Sequence, residues 1–182
     1  MKKIILPIVI LGGLFFGCKS PEARKPVSYS SGSFIDQSVE RNIKLNEKEH
    51  QQIKSIMNEH PENNYLSSES GFWYYYNTKV ENDSLTTPDF GDIVNFDYSL
   101  KSLNGTTIYS EEELKTQNYA MDQQEIFTGL REGLKLMKTG ETVTFFFPSQ
   151  KAYGYYGDEN KIGVNVPLIC QVTVNSIQEN NQ

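Results

Sequence analysis

Residues 151–157 read KAYGYYG, three tyrosines interleaved with two glycines. A tyrosine offers a flat apolar face and a hydroxyl at its tip. A glycine lets the backbone bend sharply or come close to a neighbour. Together they suit a loop that grips a ligand by apolar contact and hydroxyl hydrogen bonds, without attacking it. The rest of the chain supplies no attacking machinery. It has no G-x-S-x-G elbow, and SLNGTT (102–107) is a hairpin rather than a phosphate loop. Glu111, Glu112 and Glu113 form a solvated acidic run. Cys170 falls in the centre of an apolar strand face, so it is packed rather than nucleophilic. His50 and His60 sit on a polar helix and, with two cysteines in all, give no zinc spacing. Covalent, metal and cofactor chemistry are therefore not expected.

The elements that must carry this loop are visible in the pattern. LNEKEHQQIKSIMNEHPENN (45–64) is helix-like, capped by Asn46 and stopped by Pro61, with a thin stripe of Ile53, Ile56 and Met57. GFWYYYNTKV (71–80) is aromatic and strand-like. IVNFDYSLK (93–101) alternates, with Val94, Phe96, Tyr98 and Leu100 on one face. Asn104–Gly105 then predicts a hairpin and an antiparallel return. Residues 111–122 are polar and read as irregular. QEIFTGLREGLKLMKTGE (124–141) holds a short helix with Leu130, Leu134 and Met137 on one side, and Gly140 as a stop. TVTFFFP (142–148) and PLICQVTVNSI (167–177) are strands, flanking the loop 149–166. The expected fold is α+β, an antiparallel sheet wrapped on one short helix over 71–178.

Composition bounds the partners. The net charge is −6 and no basic run lies beyond the first residues, which argues against nucleic acid. The chain of 182 residues fits one domain plus attachments. Lys2 and Lys3 precede an apolar stretch at 4–16, of signal-peptide length and short for a membrane span. The FFGC that follows resembles a bacterial lipobox, with Phe15 where leucine is usual. That resemblance implies cleavage before Cys18 and lipidation of its sulfur; an ordinary secretory signal is the alternative. Several acyl chains hold a protein durably on a membrane. With Cys18 lipidated, Cys170 has no partner for an intramolecular disulfide. The expected organisation is a lipoprotein signal at 1–17, lipidated Cys18 and a flexible tether at 18–45, a short helix and linker at 46–70, the domain at 71–178, and a tail at 179–182.

The strand GDIVNFDY (91–98), the Asn-Gly turn, EIFTGLREGLKLMKTGE (125–141), FFFPSQKAYG (145–154) and PLICQVTV (167–174) occur in one order. That order resembles the FKBP-type peptidyl-prolyl cis–trans isomerases, over about 71–178. Segment 125–141 and the AYG at 152–154 carry the resemblance best. With the lipoprotein signal, acidic helix and GFWYYY before it, the whole is similar to the gliding-motility-associated isomerase lipoproteins of Bacteroidota. The fold implied is the FKBP-like sheet on one helix.

The resemblance also implies a site. Tyr98 and Ile126 become pocket walls, and Leu130 the pocket floor. Phe127 lies where the family binds a substrate carbonyl by a backbone N–H, and Tyr153 where a loop hydroxyl does the same. Ile162 stands on the long loop. Tyr98 also alternates with Phe96 and Leu100, so core packing is its competing role. The departures are Leu130 for the usual tryptophan, Ile108–Tyr109 for the usual Phe-Asp pair, and Cys170 for an aromatic. Tyr119 is kept near the flap, but Gln117 stands where another aromatic is expected, and the loop proline is displaced to Pro167. Tyr98, Tyr153 and Leu130 are thus the catalytic candidates. Ile108, Tyr109, Tyr119, Ile126, Phe127, Ile162 and Cys170 are the substrate-binding ones. The implied activity is isomerisation of X–Pro bonds in exported proteins, weakened by an altered pocket. A non-catalytic binding or chaperone module is the alternative, and a structural lipoprotein with an idle pocket a third. Proline-containing segments and the membrane, through Cys18, are the expected partners. Lys19 after the cysteine points to the outer membrane, facing the periplasm.

Overall fold

A computed structural model describes residues 32–82 and 84–180, with the side chains of 32 and 33 left out. The signal, Cys18 and the first part of the expected tether lie outside these residues. The chain divides into Met1–Gln37 and a unit Ser38–Gln182 that holds the whole sheet.

Seven strands form one antiparallel sheet in the order β1-β2-β6-β7-β3-β4, with β5 also paired to β3. They are β1 (Leu66–Ser67), β2 (Trp73–Thr78), β3 (Ile93–Ser102), β4 (Thr107–Tyr109), β5 (Gln117–Ala120), β6 (Thr142–Phe147) and β7 (Leu168–Gln178). The helices are α1 (Gly32–Glu59), α2 (Glu111–Leu114) and α3 (Thr128–Leu134). β3 and β7 pair along nearly their full lengths, with Tyr98 opposite Val172 and Leu100 opposite Cys170. That register sets Tyr98 in the middle of the sheet.

One sheet face is the core. Val94, Phe96 and Leu100 of β3, Val143, Phe145 and Phe147 of β6, and Leu168, Cys170, Val172 and Val174 of β7 are all buried there. Strand alternation puts each set on one side. The helix α3 closes that side with Leu130 and Leu134, and the turn after it adds Met137. All three are fully buried, which favours the fold by about 1.5–3 kcal/mol each. Phe145 and Phe147 stack with centroids 5.4 Å apart, and Phe72 meets Phe147 edge-on at 5.1 Å. Gly129 is required here: a Cβ would lie 2.6 Å from the Phe147 ring and 2.7 Å from the Lys151 carbonyl oxygen. The absence of a side chain presses α3 against the start of the 149–166 loop.

Four elements differ from the sequence expectation: β1, inside the expected linker, pairs with β2, and α1, α2 and β5 depart as well. α1 begins at Gly32 rather than Asn46, so described residues counted as tether are helical. No proline interrupts 27–60, and Ile35, Val39 and Ile43 recur at helical spacing, a pattern hidden by the polar residues between them. The polar segment 111–122 is ordered into α2 and β5. Ser110 caps α2 by accepting the Glu113 N–H at 3.4 Å, and three glutamates favour that helix start. β5 gains its structure from pairing with the first half of β3, a tertiary contact that local sequence does not announce.

Candidate functional site

The long loop and the N-terminal end of α3 meet beside β3. A cavity of about 570 Å3 opens there, walled by Tyr98, Tyr119, Ile126, Phe127 and Tyr153. Phe96, Gln117, Asn118, Gln124 and Glu125 complete the lining. β3 supplies Tyr98, β5 supplies Tyr119, and the turn into α3 supplies Ile126 and Phe127. The Phe127 ring, at the start of α3, bridges β6 and the loop, with centroids 5.5 Å from Phe147 and 5.1 Å from Tyr153.

The hydroxyls of this site divide into spent and free. Tyr119 donates to the Gln124 carbonyl at 3.0 Å, and Gln124 Oε1 in turn accepts the Ala120 N–H at 3.0 Å. Tyr109 donates to the Asp158 carboxylate. The Tyr98 and Tyr153 hydroxyls have no hydrogen-bond partner among the described residues, nor has the Phe127 N–H. Burial pushes the Tyr98 hydroxyl up to about 12, helped by nearby Cys170 and Tyr109. Burial also raises Tyr153, reinforced by Tyr98, Asp158, Cys170 and Tyr109 around it. Both groups therefore stay protonated at neutral pH and remain available as donors.

The remaining expected site residues stand behind this wall. Leu130 and Cys170 are fully buried in the core and present no surface to the cavity. Leu130 was expected as a pocket floor; its aliphatic side chain instead packs between helix and sheet. The Cys170 thiol is pushed up by burial, consistent with packing rather than reactivity. Tyr109 is 8% exposed and Ile162 3%, and Ile108 packs against the core. Tyr109 and Ile162 shape the loop instead of lining the cavity.

Sequence reasoning missed Asp158. Its Oδ1 accepts the Asn160 N–H at 3.0 Å and the Ile162 N–H at 2.7 Å, while Oδ2 takes the Tyr109 hydroxyl. An aspartate bonding the backbone two residues on is a local turn signal, and DEN at 158–160 carried it. Asn118, Gln124 and Glu125 were also missed: Asn118 reaches the cavity through the β3–β5 pairing, Gln124 and Glu125 through the turn into α3, and Gln117, noted only as a departure, joins them on the wall. A second groove, of about 650 Å3, lies on the other sheet face beside Tyr65, Tyr75 and Phe146. None of the expected site residues lines it, so the smaller cavity is the candidate site.

A sequence profile of the FKBP-type peptidyl-prolyl cis-trans isomerases matches residues 85–175, half of the chain. The chain is 31% identical over 85 residues to a probable FKBP-type peptidyl-prolyl cis-trans isomerase, FkpA, of Neisseria meningitidis. That match covers 47% of this chain and 31% of the relative, so the chain spans about a third of the relative's length. In fold it is similar to a peptidyl-prolyl cis-trans isomerase from Pseudomonas syringae pv. tomato (TM-score 0.60, 18% identity, 74% of this chain and 94% of that one). FkpA from Escherichia coli is also similar (TM-score 0.58, 20% identity, 85% of this chain and 75% of that one).

Proposed function

The chain belongs to the FKBP-type peptidyl-prolyl cis–trans isomerase family, and from that membership we propose that it accelerates rotation about X–Pro bonds of exported proteins. The observation that carries the reading is the pair of unpartnered hydroxyls, Tyr98 and Tyr153, beside the free Phe127 N–H in one partly apolar cavity. Uncatalysed rotation about X–Pro takes tens to hundreds of seconds because amide resonance must be broken. No nucleophile is needed to speed it. Apolar walls at Ile126, Phe127 and Phe96 favour the twisted amide, which has lost resonance and polarity, over the planar one. The Tyr153 hydroxyl and the Phe127 N–H hold carbonyls flanking the twisted bond, and donors that fit that geometry best lower the barrier.

The proposal extends to place. The lipobox-like FFGC makes Cys18 a lipid anchor, and Lys19 favours the outer membrane, with the domain facing the periplasm. The order of lipoprotein signal, acidic helix and aromatic strand supports a relative of the gliding-motility isomerase lipoproteins, serving assembly of a gliding or secretion apparatus. A second reading, a binding or chaperone module without turnover, is favoured by the polar wall of Gln117, Asn118 and Gln124. The discriminating experiment is refolding of a protein whose slow phase is limited by proline isomerisation. Catalysis shortens that phase at substoichiometric protein; a binding module leaves its rate unchanged or slows it. Cys18→Ser is expected to move the protein out of membrane fractions, and retention there contradicts the anchor.

A further inference from the structure

We infer that Glu49 of α1 is a positioning residue that sets the Tyr153 loop, an assignment that rests on the isomerase reading of the cavity. Glu49 is 2% exposed, and a buried carboxylate is costly unless its oxygens are bonded. Both are. Oε2 accepts the Ser149 N–H at 2.7 Å and Oε1 accepts the Ser149 hydroxyl at 2.7 Å. No cation pairs with it among the described residues, so Ser149 is its reason to be there.

Ser149 is the hub of the loop that follows β6. Its carbonyl accepts the Ala152 N–H at 3.0 Å and the Gly154 N–H at 2.8 Å, one residue on either side of Tyr153. The Gly154 carbonyl then accepts the Asn165 N–H at 2.8 Å, closing the far arm of the loop. The Glu49 carboxylate is thus two hydrogen bonds away from the backbone that aims the Tyr153 hydroxyl. α1 is itself held at this level: Ile53 is fully buried, and His50 meets Trp73 edge-on at 4.9 Å. Glu49 lies outside the residues that match the family profile, while Ser149 lies inside them.

A loop tyrosine displaced by even an ångström loses its bond to the twisted amide, which makes activity sensitive to a residue that never touches substrate. The test uses the purified protein with Glu49→Ala, Glu49→Gln, Ser149→Ala and Tyr153→Phe. It reads kcat/KM on an X–Pro peptide and amide hydrogen exchange. Glu49→Ala is expected to lower kcat/KM about tenfold. Glu49→Gln, whose amide can still serve the Ser149 N–H and hydroxyl, restores most of it. Ser149→Ala removes only the hydroxyl arm and costs about threefold, which keeps the test open should Glu49→Ala fold poorly. In the Tyr153→Phe background Glu49→Ala costs less than about twofold, because the two act through one hydroxyl. The Ala152 and Gly154 amides exchange faster in Glu49→Ala, while those of Phe145 and Val172 do not. Parental kcat/KM in Glu49→Ala, or an equal loss with and without the Tyr153 hydroxyl, overturns the assignment. Should the parent protein show no isomerase activity, the isomerase reading falls separately. Gly154 exchange then decides the clamp alone: unchanged protection in Glu49→Ala rejects it, and faster exchange upholds it.

Discussion

Tyr109 of β4 donates its hydroxyl to Asp158 of the long loop, and this bond ties the 149–166 loop to the sheet edge. Lys161 covers the same ring, its Nζ 4.7 Å from the Tyr109 centroid, and reaches on to Glu113 at 2.5 Å. Tyr109 thus finds its acceptor in a carboxylate from another element. Removing either partner is expected to loosen the loop. Tyr109→Phe and Asp158→Asn each lose about 1 kcal/mol, since a bond to a charged group is broken in a part-buried place where water offsets some of the loss. The double variant loses little more than the worse single one. Urea unfolding of the four proteins checks this; simple additivity would show that the two do not act together.

The same carboxylate gives a pH dependence. Burial alone would raise Asp158, but the hydrogen bonds from Tyr109, Ile162 and Asn160 hold it below its ordinary value of 3.8. A group depressed in the folded state stabilises above its unfolded pKa and loses that contribution as pH falls through the folded one. The difference in Tm between the parent and Asp158→Asn should therefore be full at neutral pH and shrink below about pH 4. Thermal melts across that range measure it. A difference that grows on acidification contradicts the sign.

Gly157 closes the tyrosine-rich stretch with φ +70°, and a Cβ there would lie 2.2 Å from the Ile162 carbonyl oxygen. No flexible side chain can yield, because the obstacle is backbone. Gly157→Ala is expected to cost about 1–3 kcal/mol of strain or force the loop open. Isomerase activity should fall more than far-UV circular dichroism changes. An active Gly157→Ala protein of parental Tm would mean that the loop tolerates a different path.

Leu130 tests packing against pocket. It is fully buried, so Leu130→Ala should cost about 2–5 kcal/mol in stability, the range for a leucine removed from a core. Well below the melting temperature, KM for an X–Pro peptide should change little. A large rise in KM with unchanged stability would return Leu130 to the pocket floor.

Much of the domain was legible because its strands alternate. Val94 to Leu100, Val143 to Phe147 and Leu168 to Val174 each announce one buried face, and the Asn-Gly turn announces the hairpin between β3 and β4. Five of the expected residues, Tyr98, Tyr119, Ile126, Phe127 and Tyr153, meet around one cavity. What stayed hidden depends on distant partners. β5 is polar and forms by pairing with β3. Glu49 looks like any charged helix residue until Ser149, a hundred positions on, buries it. Leu130 and Cys170 sit where the family pattern suggests a pocket, yet their smaller side chains leave them inside the core. Tyr155 and Tyr156, 70% and 84% exposed, extend the aromatic stretch beyond the cavity wall.

The most direct measurement is the cis-to-trans rate of a short X–Pro peptide with the parent protein and with Tyr153→Phe. The parent should accelerate isomerisation in proportion to its concentration. Loss of the Tyr153 hydroxyl, proposed to bind a substrate carbonyl, should reduce kcat/KM about tenfold while leaving Tm within a few degrees. Parent protein that leaves the rate at the buffer value, or a Tyr153→Phe variant as fast as the parent, would contradict the account.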